Sequence, residues 1–555
     1  MRRADWWYGA AALLLLSALA FDLDGWTLLN PDEGRNATVM REMADGGDWI
    51  LPHLDGLPYL DKPAVYFATG AAAMKVLGPT DSAARFPSLL FTLAGAAMLW
   101  LLARRLFGME GAWVAALAFL ATPLTIAYAR TVIFDSALVF WVLVAMWGFW
   151  NAMHTPRGWP WSLLAWAGVA AGILTKGPVI LIYPLLVVLP WALWRGEKRW
   201  KAVLEPVGLF GAVAIVLPWV WAVSGKVPGY VEYVLLVETA QRFATGELQR
   251  SEPFWYFLPL LPVAALPWSA VVLGAPRRLG ALLKERDGRT VFLLLWIVVP
   301  LLFFTLAQSK RPQYVLPMLP AVVLLMVRLW HVGGETLAGV RTAAIAVTML
   351  GAALVAGRDR IGSVLTLAPD VAAAIPTTAM ALGIAMLVGG SLVFTVGEHR
   401  EKVLFALCLP VAAIPFLAGP LMRTVAEGRS SAGLARVVAP MLTAEAEVIA
   451  IDTWPPGLGF YLGRQVLVSS DDPGALTSNW VTRHPEEAAA WPDSPLRSGN
   501  WWQRALLTCN RPRVFLVPVN DAPLRALIAG AAPFAADVGG YAVYGPCGAG
   551  AVAGR

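Results

Sequence analysis

Charge is scarce in this chain. Only 14% of its 555 residues are Asp, Glu, Lys or Arg, where a soluble domain carries about 25%. Hydrophobic residues make up 58%, and together the two figures exclude an ordinary soluble enzyme and a disordered polymer. Cysteine is nearly absent, with three residues, which excludes a disulfide scaffold. Neither of the Gly-rich phosphate fingerprints, G-x-G-x-x-G and G-x-x-x-x-G-K, occurs, and no internal repeat stands out. What is present is the composition of an integral membrane protein, with 26 tryptophans of the kind that collect at membrane interfaces. The net charge of +6 follows from the enrichment of Lys and Arg in cytoplasmic loops, so no nucleic-acid partner is implied.

The first apolar run, Trp6 to Phe21, follows Arg2 and Arg3, which places the N-terminus in the cytoplasm. Ala18-Leu19-Ala20 resembles a signal-peptide cleavage site, but the later apolar runs already commit the chain to the bilayer, which favours an uncleaved anchor. Further runs of spanning length are centred near residues 95, 119, 141, 168, 186, 212, 264, 298, 322, 348, 384 and 411. The stretch Ala64 to Leu77 is shorter, and it decides the topology. If it spans, Arg104-Arg105, the loop 194–201 and the basic cluster 277–289 all land outside. If it lies along the surface they land inside, as the positive-inside rule requires. The expectation is a mainly α polytopic protein with about thirteen transmembrane helices. Its membrane domain covers residues 1–422, including a long first outer loop at 22–83.

Beyond Met422 the apolar runs shorten to strand length, as at 448–451, 465–468 and 514–517, separated by Gly, Pro, Asp and Ser. Residues 423–555 therefore read as a soluble α/β domain on the outer side. Cys509 and Cys547 lie in it and would pair if that side is oxidising, whereas Cys408 sits in an apolar run.

Charged residues beside a membrane are functional candidates. In the first outer loop, Pro31-Asp32-Glu33 makes a good helix start with its acids in the positive first turn. Capping and catalysis are both open to Asp32. Ala37, Met40 and Ala44 fall on one side of the helix that follows, suiting it to the interface. Asp61-Lys62-Pro63 offers an ammonium that binds phosphate as a point charge, or an ordinary snorkelling lysine. Asp135 lies in an apolar context and needs a partner, for which Arg130 is the nearest candidate. Thr175-Lys176-Gly177-Pro178 and Gln308 to Tyr314, with Lys310, put positive charge outside, where topology does not call for it. An outer cationic pocket implies an anionic ligand, and a lipid phosphate is the anion most available there. Glu238 and Arg242 stand four apart, as either an ion pair or a phosphate contact.

Taken together, Asp32-Glu33-x-Arg35, the segment Gly47 to Pro63, Ala84-Arg-Phe-Pro87, Leu174 to Pro178, Arg242-Phe243, Pro267-Trp-Ser269 and Ser309-Lys310-x-x-x-Tyr314-x-Leu-Pro317 resemble the bacterial aminoarabinose transferases of lipid A modification. They also resemble the broader protein O-mannosyltransferase-like superfamily. The resemblance runs from residue 1 to about 330, with a weaker echo at Phe460 to Arg464. It implies a GT-C membrane glycosyltransferase moving a sugar from a polyprenyl-phosphate carrier to lipid A or another glycan, lipid or protein acceptor. It implies residence in the bacterial inner membrane, with the active site and C-terminal domain periplasmic. It assigns Asp32 as the catalytic carboxylate, with Asp135 a second acid at the cavity. Lys62, Arg242, Lys310 and Tyr314 become donor-phosphate contacts, and Glu33, Arg35, Tyr59 and Lys176 line the substrate cavity. The family also carries a metal site. Asp61 fills its first position, but 246–253 lacks the expected histidine, so only a harder divalent ion held with Glu247 or Glu252 would suit.

The competing class is a transporter or flippase for a lipid-linked sugar, which would show inverted repeats and broken helices at the bilayer midplane. Here the charged residues gather at the outer lip. A non-catalytic sugar-binding scaffold is the third reading, and Asp32 is the residue that separates it from an enzyme.

Overall fold

The structure, a computed structural model, describes residues 3–196, 198–236, 252–331, 336–364, 367–397, 399–472, 475 and 477–547. The chain divides into two units. One comprises Met1–Leu23 with Arg85–Leu421, the other Asp24–Ala84 with Met422–Arg555. The first outer loop thus belongs with the tail.

In the first unit, α1 (Arg3–Ala20) buries Tyr8, Ala11, Leu15, Ala18 and Leu19 in the main apolar core. The runs near 95 and 119 form α4 (Asp81–Leu120), interrupted at Gly108, whose φ of 80° only glycine adopts freely. After α5 (Pro123–Ala129) come α6 (Asp135–His154) and α7 (Trp159–Lys176), two neighbouring helices that run antiparallel. A Cβ at Gly148 would stand 2.8 Å from the Ala165 backbone nitrogen, and one at Gly168 would stand 2.8 Å from Val144. Small residues therefore let the two backbones approach closely.

The run near 186 is broken into a 3-10 turn, a π-helical segment and the short α8 (Leu189–Trp194). Pro178, Pro184 and Pro190 each remove a backbone donor from it. Next comes α9 (Pro206–Lys226). The run near 264 likewise splits into Phe257–Ala264 and Trp268–Leu273, with Pro267 just before the second. Among the described residues seven helices are long and apolar enough to cross a membrane, or eight if the bent pair 400–417 and 419–429 is one span. The chain is a multi-pass membrane protein. That count of seven or eight rests on helix length and composition alone, and proline divides other apolar runs into shorter helical pieces.

In the second unit, α2 (Asp32–Gly46) is followed by a hairpin of β1 (His53–Leu54) and β2 (Leu57–Pro58). Asp55 and Gly56 turn it with φ of 50° and 82°, a two-residue Asp-Gly loop whose positive φ values match the strand twist. The helix α3 (Ala64–Leu77) has 14 residues, short of a span. It packs on α2 where Gly70 meets Met40.

The tail forms a six-stranded sheet of β3 (Glu447–Ile451), β4 (Leu467–Ser469), β5 (Leu496–Arg497), β6 (Arg513–Pro518), β7 (Phe534–Val538) and β8 (Tyr541–Cys547), in the order β5-β4-β3-β6-β8-β7. The first four in that order are parallel neighbours, and β8 and β7 add antiparallel. Ile449, Ile451, Phe515 and Val517 enter one apolar core, and Val448, Ala450, Val514 and Leu516 the other. That alternation is the period of two of strands covered on both faces. Cys509 and Cys547 are disulfide-bonded, with Cα atoms 6.0 Å apart.

Candidate active site

The second unit carries Asp32 as the first residue of α2. One turn on, Arg35 donates to its carboxylate at 2.7 Å, and the other terminal nitrogen of Arg35 donates to the Thr477 carbonyl at 3.2 Å. The guanidinium also stands 5.8 Å from the Tyr59 ring centre. Burial works against its charge, but Tyr59, Asp32 and Asp61 outweigh that and hold its pKa above the ordinary arginine value. Glu33 is buried and its carboxylate accepts the Leu29 N–H at 3.0 Å, closing the approach to the helix. Asp61 accepts the Asn479 N–H at 3.2 Å, and the Lys62 ammonium donates to the Asp61 carbonyl. Of the three carboxylates, the Asp32 side chain is the accessible one, 30% exposed, whereas Glu33 and Asp61 are buried.

The first unit carries a separate charged group. Asp135, 1% exposed, opens α6 and is ion-paired with Lys176, the last residue of α7. The Lys176 ammonium lies 5.4 Å from the centre of the Tyr314 ring, and that ring packs against Phe257 and Phe304. Lys310 is buried and donates to the Ala307 carbonyl at 2.7 Å. A cation over an aromatic face and beside a carboxylate is held in place from two sides.

Arg130 has a job that the sequence did not suggest. It donates to the carbonyls of Ala18, Leu19 and Asp22 at 3.0 to 3.2 Å, satisfying the C-terminal end of α1. The usable signal for the pairing of Asp135 with Lys176 was helix length: α6 and α7 are antiparallel with 20 and 18 residues, so the first residue of one meets the last of the other.

The hairpin adds a feature that the motifs did not reveal. Glu42 accepts the N–H groups of Asp55 and Gly56 at 2.6 and 3.0 Å. Asp55 accepts Trp454 Nε1 at 2.5 Å and the Val466 N–H at 3.3 Å. Burial pushes the Glu42 carboxyl up to about 8, with the charge of Asp55 adding to it and the two backbone donors opposing. Asp55 is raised by burial to about 6 against the Trp454 and Val466 bonds.

Arg242, Glu238 and Glu247 lie outside the described residues, and Glu252 is exposed. Among the described residues, no group of three or more His, Cys, Asp or Glu gathers to hold a metal ion. Asp61 serves as a backbone acceptor.

Residues 61–221 match the family described as dolichyl-phosphate-mannose-protein mannosyltransferase. The undecaprenyl phosphate-α-4-amino-4-deoxy-L-arabinose arabinosyl transferase of Edwardsiella ictaluri is 35% identical over 332 residues, 59% of this chain and 59% of that protein. A second arabinosyl transferase of this kind, from Sodalis glossinidius, is 39% identical over 325 residues, covering 57% and 58%. The chain thus spans under two thirds of the length of the curated relatives it matches. The crystal structure of ArnT from Cupriavidus metallidurans bound to undecaprenyl phosphate superposes with a TM-score of 0.83, covering 97% of each chain at 22% identity. The chain has the ArnT fold. The ArnT apo state gives the same result, with a TM-score of 0.82 over 98% of each chain. The likeness to ArnT thus takes in both the helical unit and the strand-containing tail.

Proposed function

We propose that the chain is a membrane glycosyltransferase that moves an aminoarabinose-type sugar from a polyprenyl-phosphate carrier to a lipid A-type acceptor. The carrying observation is its similarity to proteins named as undecaprenyl-phosphate aminoarabinose transferases, at 35% and 39% identity. The relatives named above are transferases, so the flippase reading gains nothing from them.

The chemistry is a displacement at the anomeric carbon. The acceptor oxygen bonds to that carbon, and the bond to the carrier phosphate breaks, with the electron pair leaving on phosphate through an oxocarbenium-like transition state. Charge grows on the leaving phosphate, and cations fixed in advance stabilise it best. Lys176, held over Tyr314, and the buried Lys310 suit that role, and we add Lys62 and Arg242 by resemblance. Asp32, accessible and oriented by Arg35, faces the acceptor. It accepts the proton of a hydroxyl acceptor, or orients a phosphate acceptor that is already ionised. Asp32 as the one accessible carboxylate among Asp32, Glu33 and Asp61 favours direct displacement with inversion. The enzyme sits in the inner membrane with its N-terminus cytoplasmic and its tail periplasmic. The disulfide at Cys509 and Cys547 suits an oxidising compartment on the tail side.

The test is transfer in proteoliposomes containing undecaprenyl-phosphate aminoarabinose and lipid A, followed by mass spectrometry of the acceptor. Wild type should add the sugar, and Asp32→Asn should lose turnover by about a hundredfold or more. Absence of transfer by the folded wild type would overturn the substrate assignment. Full turnover by Asp32→Asn would overturn the role of Asp32.

A further inference from the structure

The arginines read from the sequence as mere markers of the cytoplasmic side do more than mark it. Arg105 within α4, Arg195 in the turn after α8 and Arg289 in the first turn of the helix Gly288–Leu306, all in the first unit, line one pocket of about 510 Å³. Trp150, His154 and Trp191 line it with them. The Trp150 and His154 rings are stacked at 4.3 Å, and Trp150 lies 5.3 Å from Trp191. Hydrogen bonds fix these rings: Trp191 donates to the Gly288 carbonyl at 2.8 Å, and His154 Nδ1 lies 2.7 Å from the Trp150 carbonyl. Arg195 packs against Gly288, its guanidinium 3.4 Å from where a Cβ would stand.

The charge of the pocket is unbalanced. Its one described acid, Asp287, is already engaged by Arg328 at 3.1 Å and by the Thr290 N–H and hydroxyl at 2.9 and 2.6 Å. Among the described residues no carboxylate is ion-paired with Arg105, Arg195 or Arg289. Three guanidinium forks around an aromatic wall suit a phosphate, which accepts paired hydrogen bonds from each fork.

Location selects the kind of phosphate. His154 ends the helix that Asp135 begins, and twenty residues of α-helix span about 30 Å, the thickness of the hydrocarbon core. The pocket therefore opens at the membrane boundary opposite Asp135, at the depth of lipid headgroups. Beside Arg195, Leu193 and Trp194 are exposed, an apolar surface for acyl chains next to the cationic one. We propose that this pocket binds the phosphate of an anionic phospholipid. Nothing in this assignment depends on the transfer reaction.

The test uses full-length protein in detergent, titrated with phosphatidylglycerol, phosphatidylcholine or inorganic phosphate and read by native mass spectrometry and by the shift in melting temperature. Wild type should retain phosphatidylglycerol over phosphatidylcholine, and the double variant Arg195→Gln/Arg289→Gln should lose about tenfold in that affinity. If the double variant does not purify as wild type does, Arg105→Gln alone should lose a few-fold. Equal retention of phosphatidylglycerol by wild type and the folded variants would overturn the proposal. Binding of inorganic phosphate without preference for the anionic lipid would overturn it as well, assigning the pocket to a free anion.

Discussion

Asp135 and Lys176 are ion-paired across 41 residues of sequence, the first residue of one helix meeting the last of its antiparallel neighbour. The acid is buried, so the pair is an obligation as well as an opportunity. Taking Lys176 away removes a counter-charge from a carboxylate that water cannot reach.

Lys176→Met should therefore destabilise the protein by about 3–5 kcal/mol. The double variant Asp135→Asn/Lys176→Met should recover most of that stability while transferring sugar poorly, because the cation beside Tyr314 is gone. Thermal unfolding in detergent of the two single variants and the double gives the coupling. Strict additivity would show that the pair contributes no mutual stabilisation.

Arg35→Lys keeps a positive charge but cannot reach Asp32 and the Thr477 carbonyl together as the planar fork does. Turnover should fall by about tenfold with little change in KM for the donor, since the carboxylate is misoriented while the phosphate contacts stay. A rise in KM alone would place Arg35 in donor binding instead.

The Glu42 and Asp55 pair gives a pH signature. A carboxyl whose folded pKa lies above its unfolded value holds its proton more tightly when folded, so stability falls as pH rises between the two values. For Glu42 that window runs from 4.5 to about 8. Melting temperature should decline across it and level off above, and Glu42→Gln should flatten the decline. A profile that rises through the same window would contradict the assignment.

Reducing the Cys509–Cys547 bond, which joins the end of the helix Trp501–Thr508 to the last strand, should cost the tail about 2–5 kcal/mol. Limited proteolysis with and without reductant would detect it as faster cleavage after residue 423. Identical cleavage patterns would show that the sheet holds without the bond.

Much of this architecture was legible in the sequence, and the unread part has physical causes. The strands of the tail were visible because β3 and β6 are covered on both faces and so read as continuous apolar runs. α2 was visible from its start at Pro31-Asp32-Glu33, although its burial extends beyond Ala37 and Met40 to Gly34, Thr38 and Val39. The breaks that proline makes in the apolar runs were not legible, since hydropathy sums apolar length and is blind to a lost N–H. The pairing of Asp135 with Lys176 was missed because Lys176 stands 41 positions away and is brought near by helix pairing. The Glu42 and Asp55 contact carries no motif at all. It depends on a tight turn presenting two N–H groups to a carboxylate thirteen residues earlier.

The glycines between α6 and α7 set the gauge of that helical hairpin. A single methyl at position 148 would meet the Ala165 backbone at 2.8 Å, and backbone, unlike a side chain, cannot swing aside. The helices would have to part, and the ion pair at their open end would lengthen with them. A residue within the helical hairpin, far from the ion pair, thereby acts as a spacer that tunes how tightly a buried carboxylate grips its cation at the hairpin's open end.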